Sequence, residues 1–291
     1  ISLLARYDSL WTKTYGGSSY DGFNSVIETS DSCYLLAGMT NSYGAGASDY
    51  WLVKTDRNGD TLWTKTYGGG NDEMCETVVE TSDSCYLLGG FTTSYGAGGY
   101  DYWLVKTDMN GDTIWTNTYG GAGTERIFSV IETSDSCYLL GGFTSSYGAG
   151  YSDFWLIKTY RNGDTLWTKT YGGGDQDVCY SVIETNESSY LMGGFTSSYG
   201  AGARDSWLVK TDTNGDTLWT RTYGGGDHDY ITSGVETSDS YYLLGGYTSS
   251  YGAGARDCWL IKTDTIGDTL WTRTYGGTLN DYCKSVIETS D

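Results

Sequence analysis

The chain has 291 residues, with 37 acidic against 17 basic side chains and a formal charge of −20. A charge of that size and sign repels phosphate backbones and anionic headgroups, which excludes nucleic acid and membrane surfaces as natural partners. No apolar run approaches the ~18–20 residues that cross a bilayer, and ISLLARYDSL at the start is too short for a secretory leader. Any leader is therefore expected to have been removed.

Trp11, Trp63, Trp115, Trp167, Trp219 and Trp271 recur at a spacing of 52, as do Trp51, Trp103, Trp155, Trp207 and Trp259. So regular a period marks a repeat architecture. In chain order, the first full unit reads as four strands. DGFNSVIET (21–29) leads through the turn SDS into CYLLAGMT (33–40), and the loop NSYGAGAS leads into DYWLVKTD (49–56). The turn RNG then opens DTLWTKTY (60–67), which a Gly-rich connection follows. Each run is rich in Val, Ile, Tyr, Trp and Thr and is bounded by Gly, Asn, Asp or Ser, and no helical period competes.

The second and third runs are nearly continuously apolar, as strands covered on both faces are. The fourth alternates with Thr and Lys, as an outer strand does. A four-stranded antiparallel unit buried on both faces and repeated about a ring is a β-propeller blade. The expected fold is thus an all-β propeller, a single domain over 1–291.

Five complete units begin near residue 20, followed by a sixth innermost strand at 281–289, while residues 1–15 supply an outer strand and part of the one before it. Six blade positions with one incomplete are expected, and five blades with overlapping tails are the alternative. The unpaired edge of an incomplete blade invites strand addition, so self-association through it is a further expectation. The seven cysteines have no metal-ligand spacing, and Cys33, Cys85 and Cys137 are repeat equivalents, as are Cys75, Cys179 and Cys283. They are expected to be buried free thiols.

LWTKTYGG, SVIETSD, YLLGG and DYWLVKTDxNGD together resemble the bacterial SBBP-type β-propeller repeats of secreted and surface proteins. The resemblance covers essentially the whole chain, and it implies the blade fold and an extracellular or cell-surface location without implying a reaction. Ser32–Cys33 departs from it, since such repeats tend to carry Gly there.

DRNGD (56–60) matches the first part of a calcium loop, but a strand begins before a bidentate Glu could complete the site. It reads as a tight hairpin, with a metal as the alternative. Asp21, Glu73, Glu125, Asp177, Asp229 and Asp281 share one repeat position at the start of the innermost strand. Either each caps its own connecting loop, or together they ring one mouth of the channel and offer oxygen ligands to a cation such as Ca²⁺. Asp49, Asp101, Asp153, Asp205 and Asp257, at the start of the third strand, read as caps.

Where near copies disagree, function is the more interesting explanation. The connection into the innermost strand and the positions just inside it vary most, and these supply Tyr20, Asn24, Asp72, Glu76, Arg126, Phe128, Tyr180, His228, Tyr230 and Tyr282. In this strand order that connection and the loop before the third strand open on one face, so the variable residues mark a ligand face for a protein or a carbohydrate. His228, the only histidine, is expected to be solvent-exposed, and its solitude argues against triad or His-metal chemistry. The expected function is a non-enzymatic extracellular binding or scaffold module. The alternatives are a lectin-like propeller stacking sugars on Tyr43, Tyr95, Tyr147, Tyr199 and Tyr251, and a self-assembling structural protein.

Overall fold

The computed structural model describes residues 11–289. Twenty strands form five four-stranded antiparallel sheets, each in simple sequence order. The first blade is β1 (Asp21–Glu28), β2 (Tyr34–Thr40), β3 (Asp49–Thr55) and β4 (Thr61–Tyr67); the second is β5 (Glu73–Thr81), β6 (Cys85–Thr92), β7 (Asp101–Thr107) and β8 (Thr113–Tyr119). The third is β9 (Glu125–Glu132), β10 (Tyr138–Thr144), β11 (Asp153–Thr159) and β12 (Thr165–Tyr171). The fourth is β13 (Asp177–Glu184), β14 (Tyr190–Thr196), β15 (Asp205–Thr211) and β16 (Thr217–Tyr223), and the fifth is β17 (Asp229–Glu236), β18 (Tyr242–Thr248), β19 (Asp257–Thr263) and β20 (Thr269–Tyr275). The fold is the β-propeller architecture expected from the repeat. In the first four blades the third strand is buried along its whole length, and in the first blade the fourth strand alternates between exposed and half-buried.

Blade packs on blade through apolar clusters that cross each junction. Leu35, Leu52, Cys75, Val78, Leu88 and Trp103 form one between the first and second blades. Polar staples recur beside them. The Tyr67 hydroxyl donates to the Gly111 carbonyl at 2.7 Å and the Tyr171 hydroxyl to that of Gly215 at 2.6 Å, so each outer strand is pinned to the next blade's hairpin. Beside the same hairpins, buried Lys106 reaches Asp83 of its own blade and the Tyr138 hydroxyl of the next at 2.7 Å. A buried ammonium needs this enclosure of oxygen acceptors to offset its desolvation.

The tight hairpins behave as turn chemistry predicts. Asp56 Oδ1 accepts from the amides of Asn58 and Asp60 at 2.8 and 2.9 Å, and Gly59 takes φ 76°. Where Tyr160 replaces this Asp, Asn162 Oδ1 accepts from the Asp164 amide instead. The departure at the first hairpin also resolves. Ser32, Ser84, Ser136, Ser188 and Ser240 all adopt φ between 56° and 64°, the left-handed conformation that glycine takes at no steric cost.

One element differs from expectation. The innermost strand expected at 281–289 is not formed as a strand, nor are residues 11–15. Both stretches nevertheless lie where a sixth blade's inner and outer strands would. Trp11 Nε1 donates to the Arg57 carbonyl and the Tyr15 hydroxyl to that of Gly59, while the Asp281 and Cys283 amides donate to Arg256 and Gly246 of the fifth blade. A first strand draws its ladder from the second strand of its own blade, and among the described residues no such strand stands beside 281–289, which is a docked segment. Residues 1–10 of the expected outer strand lie outside the described residues. Apolar side chains are bare around this position: Val26 of the neighbouring first blade is 63% exposed, against 2% for its equivalents Val78, Val130 and Val182, and Ile287 of the docked segment itself is 73% exposed.

All seven cysteines are free. Cys75, Cys137 and Cys179 are buried as expected, whereas Cys33, Cys85, Cys258 and Cys283 are only half-buried. Cys33 and Cys85 sit beside exposed hairpins, and Cys258 and Cys283 meet at the thinly covered last junction.

Candidate functional site

Every first strand carries a β-bulge at the same repeat position. The pairing skips from Phe23 to Ser25 in β1, and Glu76, Phe128, Tyr180 and Thr232 are the extra residues in β5, β9, β13 and β17. A bulge leaves one residue out of the ladder and re-aims its side chain. Here the re-aimed side chains converge from different blades: Glu76, Phe128, Tyr180 and Thr232, with Tyr247 and Lys284, line one cavity of about 260 Å³. Asn24, the fifth of the series, donates to the Cys75 carbonyl at 2.9 Å and ties the first blade to the second.

Around this cavity runs a belt of aromatic rings. Phe128 and Tyr180 have centroids 4.9 Å apart, Phe195 and Tyr230 4.8 Å, Tyr230 and Tyr247 4.5 Å and nearly parallel, and Tyr247 and Tyr282 4.9 Å. Such offset and edge contacts hold the rings rigidly at little entropic cost. Guanidinium groups interleave with them. Arg126 lies over Phe91 and Phe128 and pairs with Glu76; Arg204 lies over Phe195 and Tyr230; Arg256 lies over Tyr247 and Tyr282. Burial pushes the Tyr180 phenol up to about 12, so it stays a hydrogen-bond donor across the physiological range.

Of the residues singled out from sequence variation, Glu76, Phe128 and Tyr180 meet in the cavity, and Arg126, Tyr230 and Tyr282 form its rim. Tyr20 stands 72% exposed, and Asp72 accepts from the Ser48 hydroxyl at 3.0 Å in an outer loop. His228 is half-buried rather than exposed. Its backbone bridges to Arg204 and its carbonyl accepts from the Ser249 amide, which draws the ring inward to 6.5 Å from Tyr230. Phe91, Phe195, Tyr247, Arg204 and Arg256 belong to the belt but were not among the residues singled out. Arg204 and Arg256 did leave a trace, because they replace the Ser48, Tyr100 and Ser152 of the other units.

The carboxylate series at the start of the first strands is turned towards its own loops. Asp229 accepts from the Gly225 amide and from the Thr248 and Ser250 hydroxyls, and Glu125 from the Gly121 and Ser146 amides and the Thr144 hydroxyl. The second series caps the preceding loops, as Asp101 does on the Ala97 and Gly98 amides. Across each junction one acid of each series crowds the same glycine: a β-carbon at Gly120 would overlap both Asp101 and Glu125. Burial, then the facing acid, raises the Asp101 carboxyl above its ordinary value, and Asp49, Asp153 and Asp205 shift likewise. Among the described residues no three His, Cys, Asp or Glu side chains gather as a metal centre would need.

A second kind of hollow lies between blades. One groove of about 580 Å³ is lined by Tyr119, Tyr147, Trp155 and Thr168, and its equivalent one blade on, of about 600 Å³, by Tyr171, Tyr199, Trp207 and Thr220. In each the tyrosine ring leans on the indole, at 5.4 and 5.5 Å, and its hydroxyl donates to a glycine carbonyl.

Among the described residues no helix is long and apolar enough to cross a membrane. No protein-family model matches the chain. Over 287 residues, covering 90% of the chain, it is 22% identical to the regulatory protein FlaEY of Caulobacter vibrioides, and it spans only 25% of that protein's length. Among solved structures it is similar to Sqt1 from Chaetomium thermophilum, with a TM-score of 0.49 at 14% identity over 87% of this chain and 60% of that one. It is also similar to BamB from Moraxella catarrhalis, with a TM-score of 0.46 at 14% identity over 86% of this chain and 66% of that one.

Proposed function

We propose that the chain is a non-enzymatic binding propeller, extracellular or at the cell surface, which takes a protein or carbohydrate ligand at the aromatic mouth of its channel. One observation carries this reading: Glu76, Phe128, Tyr180 and Thr232 are unlike one another at a position where the units are otherwise near copies, and all four face one cavity. A rigid frame presenting unlike side chains at one place is the usual construction of a recognition site. The acids that recur around the ring already hold donors of their own loops, which favours binding over acid–base catalysis. Resemblance of the repeats to those of secreted and surface proteins supports the location.

The test is a glycan array and a peptide library probed with the intact chain. Any ligand found is then titrated into Tyr180→Ala and Glu76→Gln, which are expected to weaken binding by about tenfold or more. Undiminished binding by both variants would remove the mouth as the site.

A second reading, a lectin-like propeller, is supported by the two equivalent Tyr–Trp grooves. It predicts several sites of equal affinity by calorimetry, with Tyr147→Ala and Tyr199→Ala each removing one. The bare faces at the open blade position support self-association as well; a concentration-independent monomer in light scattering would count against that.

A further inference from the structure

We infer that the ligand taken at this mouth is an acidic carbohydrate, a pyranose ring bearing a carboxylate; the inference rests on the mouth being the binding site. Its basis is where uncompensated positive charge lies. Of the chain's 17 lysines and arginines, Arg6 lies outside the described residues, and 11 hold a carboxylate as an ion pair. Five remain that hold none among the described residues. Arg57 lies on a hairpin of the opposite face and Arg273 on the outer strand β20, while Arg204, Arg256 and Lys284 stand together at the mouth. In a chain of net charge −20, acids are abundant, so a cluster of cations without them is not explained by a shortage of partners.

These cations are also held in place by neutral groups. Arg204 donates to the Gln176 side chain at 2.8 Å and to the Tyr230 hydroxyl, and Arg256 donates to the Tyr282 hydroxyl at 3.0 Å. Lys284 sits over the Tyr282 ring at 5.8 Å and lines the cavity. Fixed, partly desolvated guanidinium forks without a counter-charge are a carboxylate's preferred partners. The cavity's one acid, Glu76, is occupied by Arg126. Asp175 and Asp227 are exposed in the loops beside Arg204, and the Asp227 carbonyl accepts from the Arg204 amide at 3.5 Å, but neither carboxylate pairs with the guanidinium.

The rest of the lining selects the ring. A hollow of about 260 Å³ admits one sugar or a single side chain rather than a helix or strand. Phe128, Tyr180 and Tyr247 give the hollow aromatic walls for the apolar side of a pyranose; the Tyr180 phenol offers a hydroxyl to its rim, and Thr232, whose own proton goes to the Cys283 carbonyl at 2.7 Å, offers an acceptor. The field of the whole chain opposes every anion, and the more so the more charges it carries, so a single acidic ring held by short-range contacts is opposed less than a phosphate polymer.

The experiment uses trigalacturonate, its methyl ester and hexaglutamate as probes, titrated calorimetrically into the intact chain and into Arg256→Gln and Lys284→Gln. Near-ultraviolet circular dichroism confirms that the variants are folded. Trigalacturonate is expected to bind, the methyl ester and each variant to lose about tenfold in affinity, and binding to weaken with added salt. Failure of trigalacturonate to bind overturns the inference, as does preference for hexaglutamate. Equal binding of the ester with no loss in the charge variants overturns the acidic ligand alone; if Tyr180→Ala still abolishes that binding, the mouth stands as the site.

Discussion

A β-carbon on Gly142 would overlap the Arg126 carbonyl oxygen and crowd the Tyr102 hydroxyl, and the same conflict is built into Gly38, Gly90, Gly194 and Gly246. Glycine there is what lets the opposite strand bulge and send Phe128 or its equivalent inward. Gly142→Ala is therefore expected to cost about 2–3 kcal/mol, seen as a lower urea midpoint at unchanged slope. A neutral result would show that the bulge does not depend on the glycine. Ser136 presents the reverse case. Held at φ 64°, it bears a left-handed strain that glycine escapes, so Ser136→Gly should gain roughly 0.5–1 kcal/mol in the same measurement. Unchanged or lowered stability would mean that the serine's left-handed conformation carries no net cost.

At the scale of elements, the blade junctions set two kinds of aspartate against each other. Asp49, Asp101, Asp153 and Asp205 are raised by burial and then by the facing acid, so the folded chain takes up their protons before the unfolded chain does. Their contribution grows as pH falls through the raised values and is complete below about 3.9, the unfolded value. Asp31 is held down to about 2, chiefly by its hydrogen bond from Lys54; Asp83 and Asp135, despite burial, are lowered by Lys106 and Lys158. Their contribution is present above about 3.9 and is lost as pH falls through the depressed values. Stability should therefore rise from neutral pH to a maximum at about pH 4–5 and fall below it. Asp101→Asn should raise the urea midpoint at neutral pH and shrink the rise on acidification; a variant with the wild-type pH profile would sink the account.

These elements were also where the sequence could and could not be read. Strand bounds came within a residue, because apolar runs closed by Gly, Asn and Ser leave little freedom of placement. The bulge was not legible, since DGFNSVIET reads as an unbroken strand; its only trace was the paired glycine in YLLGG. Variation at positions 22 and 24 led to the mouth. Phe91, Phe195 and Tyr247 escaped notice because an aromatic in a buried second strand looks like core.

At the scale of the whole molecule, the 52-residue period established the ring of blades but not its completion. The segment 281–289 carries a strand-forming sequence and still makes no sheet, because sheet formation depends on a neighbour that the local sequence does not reveal. The open position has a mechanical consequence. Each blade leans only on the next, and among the described residues the first and fifth each present a face with no full sheet against it, so opening has two easy starting points there. Amide exchange should be slowest in β9–β12, quicken blade by blade towards either end, and respond to a clamp placed across the gap more than to one placed between the second and third blades. Uniform protection from end to end would mean that the array melts as a single unit.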